Sequence, residues 1–213
     1  MHTFYTTMCN PFTPAIPSFP MSSIKTARFL TSVLRHRAHE HGLVMAADGS
    51  VAVFDLLKLP RLASVTIDDI KTIVATCDKQ RFALLAGDDG TLRIRANQGH
   101  SATLALDDTA MMTPIIDAAS APVAVHGTFS AALPAIRESG CLKRMTRRHV
   151  HFATGLPSDG GVISGMRAKC DVWCFLDVSA ALAAGLKLFR SANGVILCAD
   201  DVPLRFLRIE HIN

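Results

Sequence analysis

Between Lys143 and His151 the chain reads Lys-Arg-Met-Thr-Arg-Arg-His-Val-His, four cations and two imidazoles within nine residues. Guanidiniums gathered this closely repel one another unless an anion holds them, and a phosphate is the simplest anion that fits their forked donors. The competing interpretation is a solvated basic turn, and this segment alone does not choose between them. Beyond the cations, His149, His151 and Ala153 alternate with Val150 and Phe152. That is the period of a strand, with the histidines on one face and the apolar pair on the other.

The elements around this stretch must position it. Before it, Ser130 to Glu138 reads as a helix stopped at Ser139-Gly140. From Ser23 to about His39, the positions Ala27, Leu30, Val33, Leu34 and Ala38 fall on one helical face. Arg35 and His36 near its end are about 100° apart around the axis, so both cannot enter the core. A short helix is expected from Val53 to Leu59, stopped by Pro60. A third opens at Thr66-Ile-Asp-Asp, where Asp69 stands in for the usual Glu or Gln of a capping box. Its expected buried stripe is Ile67, Ile70, Val74 and Cys77. Next comes Arg81-Phe-Ala-Leu-Leu, the turn Asp88-Asp89-Gly90 and Leu92-Arg-Ile-Arg95, a hairpin by turn chemistry and alternation. Three helices and a hairpin spell a winged-helix module over residues 23–98, which by fold alone binds either nucleic acid or protein.

The second half changes character. Thr103–Leu106, Val123–His126, His149–Ala153, Val172–Val178, Gly194–Ala199 and Leu204–Ile209 read as strands, and Ser130–Glu138 and Ser179–Ala184 as helices. Asn193-Gly194 is a hairpin turn signal. The fold class is therefore α+β, with an antiparallel β lobe over residues 99–213 and a boundary near Asn97–Gly99. Residues 1–22 carry four prolines and no Lys, Arg, Asp or Glu. They are expected to be a disordered leader, with Met21 as an alternative start.

Composition narrows the function classes. The chain of 213 residues is 49% hydrophobic and 19% charged, with a net charge of +4. That is a folded protein without the bulk charge to bind nucleic acid unaided, so any such contact needs placed arginines. The six cysteines form no CxxC pair and no zinc spacing, so no metal is expected and the cytoplasm is the default compartment. No Walker loop, Rossmann fingerprint or HExxH is present.

Taken together, seven segments resemble one family. They are Leu34-Arg-His36, Asp78-Lys-Gln-Arg-Phe82, Asn97-Gln-Gly-His-Ser101, His126-Gly-Thr128, Met145-Thr-Arg-Arg-His-Val-His151, Gly161-Val-Ile-Ser-Gly-Met-Arg167 and Ser191-Ala-Asn-Gly-Val195. Each alone is weak, but their order is specific to the NAD-dependent RNA (tRNA) 2′-phosphotransferases, and the resemblance covers about residues 23–200.

It implies a winged-helix RNA-binding lobe followed by an ADP-ribosyltransferase-like, NAD-binding lobe. It implies a reaction in which an internal RNA 2′-phosphate passes to NAD, giving 2′-hydroxyl RNA, nicotinamide and ADP-ribose 1″,2″-cyclic phosphate. By motif, the family's essential group maps onto Arg35, His36, Arg81 and Arg147. His126, Gly127 and Thr128 map onto the NAD-contacting motif, with His149, His151 and Arg167 as further candidates for that pocket. His149 and His151 are also readable as structural histidines, and Arg148 is expected to face elsewhere. The expected partners are RNA bearing a 2′-phosphate, tRNA first, and NAD, acting on a monomer. Two departures, Ala27-Arg28 for Ser-Lys and Ser50 for an aromatic, fall outside the mapped residues.

Two rival classes remain. A protein ADP-ribosyltransferase needs a late catalytic Glu, and Glu40, Glu138 and Glu210 sit in no Gln-x-Glu or Glu-x-Glu motif. A non-catalytic winged-helix binding protein would have lost part of the Arg-His-Arg-Arg set, and all four residues are present. A third reading keeps the fold and ADP-ribosylates phosphorylated nucleic-acid ends.

Overall fold

A computed structural model describes residues 21–159, 164–166 and 169–212. The expected leader up to Pro20 and the candidate Arg167 lie outside the described residues.

Helix α1 (Met21–Ser32) runs into a π-helical turn over Val33–Arg37. The sequence pattern had suggested an unbroken helix to His39. The wider turn keeps Val33, Leu34 and Ala38 buried while Arg35 is only partly covered and His36 is exposed. Turns of this kind recur at functional sites because they redirect side chains without ending the helix. Leu34 is fully buried beside Arg35, so truncating it to Ala would cost about 2–5 kcal/mol and loosen the turn.

Strand β1 (Val51–Ala52) leads into α2 (Val53–Leu57), and α3 spans Ile67–Ala75. Thr66 caps α3 as the spacing predicted: its Oγ1 accepts from the Asp69 backbone N–H at 3.1 Å, and Asp69 Oδ2 accepts from the Thr66 N–H at 2.8 Å. The stripe differs from expectation. Ile70 and Ile73 are the buried residues, whereas Ile67 is exposed, because the first turn of the helix overhangs the core. Strands β2 (Phe82–Ala86) and β3 (Leu92–Ala96) form the expected hairpin around Gly90, which has φ +76°. With β1 they make an antiparallel sheet in the order β1-β3-β2. Leu30, Leu34, Val51, Leu56, Ile70 and Ile94 belong to one core drawn from residues 29–96.

The remaining chain builds separate cores. In order come α4 (Asp108–Met111), β4 (Thr113–Ile115), β5 (Val125–Thr128), α5 (Leu133–Ser139), β6 (Cys141–Leu142), β7 (Val150–Phe152) and β8 (Val172–Leu176). They are followed by α6 (Val178–Ala183), β9 (Leu188–Arg190), β10 (Ile196–Cys198), β11 (Val202–Pro203) and β12 (Leu207–His211). One antiparallel sheet has the order β4-β9-β10-β7, another β12-β8-β5, and β11 pairs with β6. Reciprocal bonds between Val125 and Ala153 tie β5 to the end of β7. This is a mixed α/β architecture of antiparallel sheets with few and mostly short helices.

Thr103–Leu106 is not a strand, contrary to expectation. The carbonyls of Leu104 and Leu106, which a strand would offer to a neighbour, accept from the Arg148 guanidinium at 2.8 and 2.9 Å. Leu204–Phe206 is a 3₁₀ turn that precedes β12. Among the described residues no helix is long and apolar enough to cross a membrane.

Candidate active site

Four segments far apart in sequence converge where the first core meets the second. Arg35 and His36 ride on the π turn. Arg81 enters β2 after a tight turn, where Gln80 has φ +44° and its N–H donates to the Cys77 carbonyl at 2.7 Å. Asn97 holds that turn from β3: its Nδ2 donates to the Gln80 carbonyl at 2.7 Å and its N–H to the Arg81 carbonyl at 2.9 Å. From the other side, Asn193 Nδ2 in the β9–β10 turn donates to the Lys79 carbonyl at 3.0 Å. Arg147 follows the turn at Met145, itself at φ +58°, and forms an isolated bridge with Ser101.

The electrostatics follow from this convergence. Burial, then Arg147 and Arg81, push the Arg35 guanidinium down to about 10. Partial burial, then Arg35, Arg147 and Arg37, lower His36 below its ordinary value and favour the uncharged ring. His100 is pushed down to about 3 by burial first and then by Arg35. His151 also falls to about 3, by burial and then by Arg147. Arg35 Nε, His100 Nε2 and His151 Nε2 are buried with no hydrogen-bond partner among the described residues. A guanidinium N–H left unsatisfied beside clustered cations is costly, and an acceptor-rich anion would answer both the donor and the charge.

The second candidate set lies on β5. His126 Nδ1–H donates to the His151 carbonyl at 2.8 Å, and its ring meets Phe152 edge-on. His151 thus adjoins both Arg147 and His126, and is the point where the two candidate sets meet. Thr128 is buried. The space beside Gly127 is used by the chain itself, since a Cβ there would lie 2.6 Å from Met166 Cγ and 2.7 Å from Cys170 Sγ. His149 is engaged from behind the site. Its Nε2 lies 3.0 Å from Asp108 Oδ2, and Asp108 Oδ1 also binds Arg148 at 3.0 Å. Arg148 therefore turns away from Arg147 and supports the loop 104–108.

Sequence reasoning missed Asp108 and gave His100 no role beyond its place in the Asn97-Gln-Gly-His-Ser101 segment. Asp108 gave no signal, because its partners are 40 residues away. Ser101 was legible only as the last residue of the Asn97-Gln-Gly-His-Ser101 segment, although its hydroxyl lies 2.8 Å from His36 Nδ1. Among the described residues no cluster of His, Cys, Asp and Glu could hold a metal ion. Three guanidiniums and an adjoining imidazole can bind a phosphate dianion and stabilise charge that grows on it.

The chain resembles proteins of one kind. Residues 21–200 match the model of the RNA 2′-phosphotransferase, Tpt1 / KptA family. The tRNA 2′-phosphotransferase 1 of Danio rerio is 43% identical over 196 residues, 89% of this chain and 86% of that protein. The Homo sapiens protein of the same name is 46% identical over 175 residues, 82% of this chain and 68% of its own length. The tRNA 2′-phosphotransferase of Saccharomyces cerevisiae is 34% identical over 189 residues, covering 87% and 82%.

Proposed function

The chain belongs to the RNA 2′-phosphotransferase, Tpt1 / KptA family, and from that premise we propose that it clears an internal 2′-phosphate from tRNA by passing it to NAD. The products are 2′-hydroxyl RNA, nicotinamide and ADP-ribose 1″,2″-cyclic phosphate. In this reading residues 23–98 are a winged-helix lobe that holds RNA, and residues 99–213 an ADP-ribosyltransferase-like lobe that holds NAD.

Arg35, Arg81 and Arg147 grip the 2′-phosphate from three sides. The same donors stabilise the charge that builds on its oxygens, and losing one such preorganised donor typically costs about 10² to 10³ in rate. His36, neutral and exposed at the edge of the cluster, adds an uncharged donor to a phosphate oxygen. The bound NAD supplies the ribose carbon that accepts the phosphate and the nicotinamide that leaves.

The donor set fits a dinucleotide. His126 and Thr128 stand on β5 and His151 on β7, where the His151 ring adjoins Arg147, and His151 Nε2, without a hydrogen-bond partner among the described residues, is left for a ligand to engage. His126, Gly127 and Thr128 hold NAD, Arg167 remains a candidate from its motif, and His149 acts through Asp108 to keep the strand start in place.

The observation that carries the reading is the gathering of Arg81 and Arg147 around a partly covered Arg35 whose buried Nε has no hydrogen-bond partner among the described residues. The test is an RNA with one internal radiolabelled 2′-phosphate, incubated with and without NAD. Label should move to ADP-ribose 1″,2″-cyclic phosphate only with NAD, and Arg81→Ala should stop it. Label that leaves RNA without NAD, or normal turnover by Arg81→Ala, contradicts the assignment.

A further inference from the structure

Ser101 adjoins three of the four mapped residues. Its backbone N–H donates to the Arg35 carbonyl at 3.0 Å. It forms a bridge with Arg147, flanked by Ala102 N–H to the Thr146 carbonyl and Arg148 N–H to the His100 carbonyl, each 3.0 Å. Its hydroxyl lies 2.8 Å from His36 Nδ1. The backbone is thus pinned to two of the three chain segments that carry the mapped arginines, so the hydroxyl reaches His36 from a fixed place.

We infer that Ser101 is a positioning residue for His36, donating its hydroxyl proton to Nδ1 and so keeping the imidazole proton on Nε2, on the far side of the ring. The inference rests on the phosphate reading above. A phosphate offers only acceptors, so the ring nitrogen that meets it must carry hydrogen. Partial burial and the cations Arg35, Arg147 and Arg37 lower the proton affinity of His36 and favour the neutral ring; His100 on the adjoining segment is lowered as well. A neutral imidazole has one N–H, so placing it on Nε2 leaves Nδ1 as an acceptor in need of a donor. The serine hydroxyl supplies that donor without adding charge. A carboxylate at the same place would instead favour the imidazolium and compete with the substrate phosphate for the arginines. The bond also fixes the plane of an otherwise exposed ring, so that its N–H is aimed before substrate arrives.

The test uses the full chain labelled with ¹⁵N-histidine, free of RNA and NAD. Long-range ¹H–¹⁵N correlation through the ring reads which nitrogen carries hydrogen and whether the other accepts a hydrogen bond. The His36 pattern is assigned by its loss in His36→Gln. Wild type and Ser101→Thr should show hydrogen on Nε2 and a hydrogen-bonded Nδ1. Ser101→Ala, which keeps every backbone contact named above, should lose the Nδ1 signature.

In the phosphate-transfer assay Ser101→Ala should lower kcat about tenfold, the worth of one neutral hydrogen bond, with KM for NAD unchanged, and Ser101→Thr should restore it. Hydrogen on Nδ1 in the wild type overturns the inference, and so does full kcat in Ser101→Ala. A protein inactive on 2′-phosphorylated RNA defeats the proposed function instead, while the spectrum still reports the tautomer.

Discussion

Gly99→Ala tests the site with a single methyl group. A Cβ at Gly99 would lie 3.1 Å from Arg35 Cζ and 3.2 Å from its Nε and Nη1. The guanidinium would have to yield by a few tenths of an ångström. The backbone there has φ +88°, where an L side chain costs about 1–2 kcal/mol. In a protein of this size each kcal/mol lowers Tm by about 2–4 °C, so the variant should melt about 2–8 °C below wild type. A misplacement of 1 Å at a reacting group can cost about 10²-fold in rate, and the smaller shift here should cost about tenfold or more.

Gly90→Ala is the matched control. It has φ +76° but nothing within 4 Å of its Cβ, so it carries the same backbone cost and touches no functional group. Single-turnover release of labelled 2′-phosphate at saturating NAD, measured beside Tm, separates the two effects. Both variants should lose stability, and only Gly99→Ala should lose rate. Equal single-turnover rates for the two would refute the placement of Arg35 in the reaction.

Adjacent arginines should fail in different ways. Arg148→Ala removes bonds to the Leu104 and Leu106 carbonyls and to Asp108, and should cost about 2–4 kcal/mol by denaturant titration. Arg147→Ala should keep its unfolding midpoint and lose phosphate transfer; an active Arg147→Ala would sink the assignment. Thr66→Ala breaks the α3 capping box and should cost about 1 kcal/mol with no change in kcat, read by the same two assays. Stability should also fall on mild acidification. His100 and His151 take protons only near pH 3 when folded, against 6.5 for an ordinary histidine. The unfolded chain therefore binds more protons below about pH 6.5, and stability present above that value drains as pH falls toward 3. Each buried histidine contributes a slope of about 1.4 kcal/mol per pH unit. Between about pH 6.5 and 4.5 the depressed carboxylates of Asp48 and Asp108, which titrate below their ordinary value of 3.8, do not yet contribute. A flat Tm across that window would contradict the buried neutral state.

Locally encoded features were legible in the sequence. The Thr66–Asp69 box, the Asp88-Asp89-Gly90 and Asn193-Gly194 turns and the stop at Gly140 depend on residues within a few positions, and each stands where it was read. What was missed depends on distant partners. Helix α4 is four residues long and is held by an Asp107 cap and by Asp108 reaching Arg148. The same Arg148 takes the carbonyls that would have made Thr103–Leu106 a strand. The π turn left no mark in the apolar spacing, because Val33, Leu34 and Ala38 stay buried in either geometry. At the site, the residue types were readable segment by segment, and the order of motifs joined them. Ser101 facing His36 and His151 joining the two candidate sets are contacts between segments, which periodicity does not encode.

The role assigned to Arg35, His36, Arg81 and Arg147 is recognition of a 2′-phosphate on RNA. It is tested most directly by the affinity of the NAD-free protein for two RNAs identical except for one internal 2′-phosphate. Wild type should bind the phosphorylated RNA at least about tenfold more tightly, since one charge-assisted contact is worth about 1.5–3 kcal/mol, and Arg35→Gln should erase most of that preference. Equal affinity of the wild type for the two RNAs would contradict the account.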